Sequence, residues 1–128
     1  IEILKPGIPL VEIGCVIEKH ANNNGYSVVR DFCGHGLGKS FHSPPQVVHF
    51  CEELLDNSIV LKKGMFFTIE PMINEKDWRV KKLKDGWTAV TKDKRLSAQF
   101  EHSLGITENG VEIFTKSKNN TDFPFKNL

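Results

Sequence analysis

Apolar positions along the first part of the chain return at helical spacing and later give way to alternation with a period of two. Leu10, Ile13, Val16 with Ile17, and Ala21 lie on one face of a predicted helix. Asn22-Asn23-Asn24-Gly25 supplies its stop, because Gly25 tolerates a left-handed conformation. Tyr26-Ser27-Val28-Val29 reads as a short strand rich in β-formers. Residues 33 to 46 carry alternating glycines followed by Pro44-Pro45, a pattern that predicts irregular loop. Strands are predicted at Ile59-Val60-Leu61 and from Met65 to Ile69, around a Lys63-Gly64 turn. In the second of these, Phe66, Thr68 and Glu70 share one face, and Met65, Phe67 and Ile69 the other. Pro71 ends the strand.

Further on, Asp85-Gly86 predicts a hairpin between Trp78–Leu83 and Trp87–Thr91. Ser97 to Thr107 alternates as one strand, with Gln99, Glu101 and Ser103 pointing one way and Phe100, His102 and Leu104 the other. Asn109-Gly110 turns it into Val111-Glu112-Ile113-Phe114. Residues 119–128 form a polar, weakly structured tail. The class that follows is α+β, mainly antiparallel, with at least one packed helix.

At 128 residues, 39% hydrophobic and 26% charged, the chain suits one domain with a real core. Its net charge of +1 gives no argument for binding DNA or a membrane. Lys81, Lys82 and Lys84, then Lys92, Lys94 and Arg95, form two basic stretches that read first as solvated faces. No apolar run approaches the roughly 20 residues of a spanning helix. Cys15, Cys33 and Cys51 are odd in number and lack a C-x-x-C pair, so a reducing compartment is expected rather than a disulfide framework or a zinc finger. Ile1-Glu2-Ile3-Leu4-Lys5 reads as the exposed end of a helix, and a fragment of a longer protein is expected.

Four segments place a His or a Glu in an apolar or glycine-rich setting. They are Gly34-His35-Gly36-Leu37-Gly38, Phe41-His42, Thr68-Ile69-Glu70-Pro71 and Gln99-Phe100-Glu101-His102. An imidazole with two carboxylates is a natural ligand set for a divalent ion. Two inward carboxylates on neighbouring strands repel unless a cation lies between them, which is the logic of a dinuclear site. His42 is suited to donating to a developing oxyanion. A surface position reads as well for His35 and better for His42 without other information, and either carboxylate, or both, fits the solvent face of an amphipathic strand. Trp87 and Phe41 suit a pocket wall or ordinary core. His35, His42 and His49 fall seven apart, but the intervening glycines and prolines forbid the helix that would give this spacing meaning. A Cys33/His dyad is a further alternative, weakened by the absence of a helix N-terminus at the thiol.

Together with Asp85-Gly86-Trp87-Thr88 and Ser97-Ala98-Gln99-Phe100-Glu101-His102-Ser103, these motifs resemble the type I methionine aminopeptidases in kind and order. Lys5-Pro6-Gly7 and Glu12-Ile13-Gly14 extend the resemblance towards the start of the chain. The resemblance implies the C-terminal half of a pita-bread (creatinase/aminopeptidase) fold, mainly antiparallel sheet with packed helices, over residues 1–128 of a single metallopeptidase domain. It implies two divalent metal ions, cobalt, manganese, iron or zinc, held in part by His35, Glu70 and Glu101. Two aspartate ligands and a further substrate-contacting histidine of the family lie ahead of Lys5 and are not in this sequence. Catalytic roles fall to His42 and Glu70, and substrate contacts to Phe41, His42 and Trp87.

The implied function is removal of the initiator methionine from nascent polypeptides, with the fragment alone inactive. A non-catalytic peptide- or protein-binding module on the same fold is one alternative, and a proline-specific relative another. A cytoplasmic monomer acting near the ribosome is expected.

Overall fold

The structure is a computed structural model describing residues 1–51 and 58–117. The predicted tail at 119–128 lies outside the described residues. Among the described residues, one helix, α1 (Glu12–Asn23), is followed by ten short strands. These are β1 (Ser27–Val28), β2 (Gly34–Gly36), β3 (Ser43–Val47), β4 (Phe66–Ile69) and β5 (Met72–Asn74), then β6 (Val80–Lys82), β7 (Ala89–Thr91), β8 (Ser97–Gln99), β9 (His102–Ile106) and β10 (Val111–Ile113). They form a five-stranded sheet in the order β10-β9-β4-β2-β3, a three-stranded sheet β1-β5-β8, and the β6-β7 hairpin. All described strand pairs are antiparallel.

The alternation read along β4 is the one observed. Phe67 and Ile69 join Leu104 and Ile106 of β9, Val47 of β3 and Ile13 of α1 in a buried cluster, with Leu4, Leu10 and Leu61. Helix α1 lacks a side-chain N-cap and begins after Val11, with Glu12 in its first turn where a carboxylate complements the helix dipole. Gly25 takes φ +79 just past the helix end, as its stop required.

Five expectations need correction. Residues 33 to 46 are not all loop, because β2 and β3 pair there. A Cβ at Gly34 would meet the Thr68 carbonyl oxygen, and one at Gly36 the Pro44 carbonyl, so the glycines admit neighbouring backbone rather than break a strand. Pro44 and Pro45, joined by a cis peptide bond, fit β3 because it is an edge strand. Ile59–Leu61 makes only a bridge, Pro9↔Val60, with Leu10 N–H donating to the Ile59 carbonyl at 2.8 Å, because the segment before α1 claims it first.

Ser97–Thr107 is two strands in two sheets, β8 and β9. Pro71, between the partner strands β4 and β5, cannot donate, and the ladder breaks beside it. Ile1–Lys5 is a turn closed by Leu4 N–H to the Ile1 carbonyl at 2.9 Å, with Leu4 buried, not a helix end. Finally, Cys15 on α1 and Cys51 beyond β3 form a disulfide, leaving Cys33 free. An odd cysteine count hides such a pairing because only folding brings residues 36 apart together.

Candidate active site

The break between sheets positions the chemistry. The β4-β9 ladder ends at Ile69↔His102, and the β5-β8 ladder begins in the same register at Met72↔Gln99. Glu70 therefore stands across from Glu101 in the gap. His35 pairs with Gln46 across β2-β3, and both residues line, with Glu70, an open cavity of about 850 Å³. His42, Met72 and Trp87 continue its wall.

His35 Nε2 lies 3.7 Å from Glu70 Oε1. Thr68 Oγ1 links the two residues, donating to Glu70 Oε1 at 2.8 Å and accepting the His35 backbone N–H at 2.9 Å. His35 Nδ1 is 3.1 Å from the Gly36 carbonyl oxygen. Only an N–H shares a hydrogen bond with a carbonyl, so Nδ1 carries a proton and Nε2 is the ring nitrogen turned towards Glu70.

The backbone of Glu70 is held as well. Its N–H donates to His49 Nε2 at 3.1 Å, and its carbonyl accepts from Gln99 Nε2 at 3.1 Å. His49 is 2% exposed, and burial pushes its pKa down to about 4. The ring is therefore neutral, as an accepting Nε2 requires.

His42 is exposed and packs edge-on to His35, ring centroids 4.3 Å apart. Phe41 is not in the cavity wall. It is 72% exposed and stacks near both imidazoles, 5.4 Å from His35 and 4.6 Å from His42. Trp87, 87% exposed, is carried at the β6-β7 turn, where the Asp85 carboxylate accepts the backbone N–H groups of Trp87 and Thr88. Cys33 lines the cavity, but burial, and then the Glu70 charge, push its thiol pKa up. A raised pKa disfavours the thiolate that a Cys/His dyad needs.

The structure thus brings His35, Glu70 and His42 together, and places Glu101 opposite Glu70 on exposed chain. Among the described residues, no three His, Cys, Asp or Glu side chains form a group able to hold a metal ion. An imidazole nitrogen and a carboxylate oxygen that converge to 3.7 Å nevertheless suit, by their donor chemistry, a divalent cation. Thr68 and His49 escaped the sequence reading. Thr68 was legible as a neighbour of Glu70 on one strand face, whereas His49 had only a discounted seven-residue spacing.

Residues 1–108 match metallopeptidase family M24. The chain belongs to that family. It is 53% identical over 121 residues to the methionine aminopeptidase of Salmonella typhimurium, covering 94% of this chain and 45% of the relative. It also resembles the crystal structure of methionine aminopeptidase from Rickettsia prowazekii, with TM-score 0.84 and 48% identity over 90% of this chain and 46% of that one. The Thermotoga maritima methionine aminopeptidase structure matches with TM-score 0.85 and 45% identity, over 91% of this chain and 46% of that one.

The chain spans about half the length of the curated relatives it matches. Its sheets and helix are the pita-bread architecture of this M24 branch, about half of it. Membership in M24 implies divalent metal ions. No helix among the described residues is long and apolar enough to cross a membrane.

Proposed function

We propose that this chain is the C-terminal portion of a methionine aminopeptidase, which hydrolyses the first peptide bond of a nascent polypeptide and releases its initiator methionine. The observation that carries the reading is the convergence of His35 and Glu70 on one cavity walled by Met72 and Trp87. His35, Glu70 and Glu101 are the residues assigned to hold two divalent ions, and imidazole and carboxylate donors suit cobalt, manganese, iron or zinc. Bound ions supply Lewis acidity towards the scissile carbonyl and lower the pKa of a water.

The chain's own residues orient and move protons. Thr68 fixes one oxygen of Glu70, and the Glu70 carboxylate is the group placed to accept and return a proton. His42, at the cavity wall, donates to the developing oxyanion. Trp87 walls the methionine side chain, with Phe41 steadying the imidazoles beside it.

The remaining ligands, two aspartates, come from chain ahead of this sequence. The enzyme acts as a monomer, on peptides with an N-terminal Met. The full-length protein should release methionine from a Met-Ala-Ser peptide, and Glu101→Ala should abolish it. Equal activity in that variant would overturn the assignment.

A further inference from the structure

We infer that His49 is a positioning residue for this reaction: it holds the backbone of Glu70 from the buried side and so aims the Glu70 carboxylate. The inference rests on the proposed role of Glu70. That residue belongs to neither strand ladder, since pairing stops at Ile69↔His102 and resumes only at Met72↔Gln99. Its peptide groups lack the sheet partners that fix an ordinary strand residue. Side chains replace them, His49 Nε2 accepting the N–H and Gln99 Nε2 donating to the carbonyl, each at 3.1 Å. A buried N–H left without an acceptor is costly.

Packing alone does not call for an imidazole here. His49 sits two residues past Val47, which is wholly buried in the apolar core, and a phenyl ring would fill similar space. What the imidazole adds is a single acceptor on a ring with few rotamers.

The segment carrying it is fastened on several sides. Upstream, β3 pairs with β2 through Gly34↔Val47. Downstream, Cys51 is bonded to Cys15, and its N–H donates to Glu18 Oε2 at 3.0 Å. Between them, the carbonyls of Val48 and Phe50 lie so close to α1 that a Cβ at Gly14 would collide with both. Three features of α1, namely Gly14, Cys15 and Glu18, therefore grip the strap on which His49 rides. A group held this firmly transmits position, and small misplacements of a reacting group are expensive in rate.

The test uses the full-length, metal-loaded enzyme with His49→Phe, which keeps bulk and removes the acceptor, and His49→Gln, whose side-chain oxygen reaches the Nε2 position. With a Met-Ala-Ser peptide, His49→Phe should lower kcat about 10-fold or more, with KM within about twofold. His49→Gln should recover most of that loss. Independently of activity, hydrogen exchange should find the Glu70 amide protected in the wild type, labile in His49→Phe and protected again in His49→Gln.

A folded His49→Phe with wild-type kcat and a protected Glu70 amide overturns the inference. Should His49→Phe not fold, His49→Gln decides. Near-wild-type kcat with a protected amide supports the inference, and wild-type kcat with a labile amide overturns it. A wild-type enzyme that releases no methionine would instead refute the proposed reaction, a result separable from the exchange measurement.

Discussion

Thr68 donates its hydroxyl to Glu70 Oε1 at 2.8 Å, and Thr68 Oγ1 itself accepts the His35 backbone N–H at 2.9 Å. One hydroxyl thus sets both donors of the candidate metal pair. Thr68 is 1% exposed, so no water replaces it cheaply. Thr68→Val keeps the shape and strands a buried N–H, and should destabilise the protein by about 1–3 kcal/mol. Urea denaturation checks this, and Thr68→Ser should stay close to wild type.

His35 and His42 are neighbours with different proposed roles. Replacing His35 by Ala should lower metal content and activity together, with partial recovery at high metal concentration. Replacing His42 by Ala should leave metal content nearly intact and lower kcat by about 10²–10³, the scale of one lost oxyanion donor. Metal titration with turnover assays on full-length variants separates them, and the opposite pattern would reverse the assignment.

The turn that presents Trp87 should depend on pH. Hydrogen bonds from the Thr88 hydroxyl, then from the Trp87 and Thr88 backbone N–H groups, hold the Asp85 pKa below its ordinary 3.8. A depressed native pKa means the carboxylate stabilises the turn fully above the ordinary value and loses that effect as pH falls through the lower one. The Trp87 and Thr88 amide resonances should therefore shift below about pH 4. Asp85→Ala should show the acid-like spectrum at neutral pH.

The Cys15–Cys51 bond closes a loop with a sequence separation of 36. Loop entropy on that scale corresponds to about 3–4 kcal/mol. Cys15→Ser should lower stability towards urea by that order, and reductant should lower the wild type while leaving the variant unchanged. A wild type insensitive to reductant would show that the bond contributes nothing in solution.

Lys81 and Lys82 on β6 and Lys84 at its turn are exposed on the hairpin that carries Trp87. If they meet ribosomal RNA phosphates, neutralising all three should weaken co-sedimentation with ribosomes at low salt, and added salt should erase the difference. Unchanged co-sedimentation removes the assignment.

What the sequence determined by itself was local. The two faces of β4, the turn at Asp85-Gly86 and the stop at Gly25 follow from covalent geometry, which fixes where each Cβ points and which residues accept a positive φ. His35, Glu70 and Glu101 stood out in the sequence as candidate chemistry because such groups are costly in apolar or glycine-rich chain. Everything that depends on a neighbour distant in sequence was decided by the tertiary structure. Gly34 and Gly36 read as loop because the backbone that presses on them comes from Thr68 and Pro44. The division of Ser97–Thr107 arises at Pro71, between β4 and β5, and the disulfide arises from the approach of α1 to Cys51. His49 looked like a coincidence of spacing, and becomes the acceptor for Glu70 only because β2-β3 pairing and α1 bring its ring beneath the gap between two sheets.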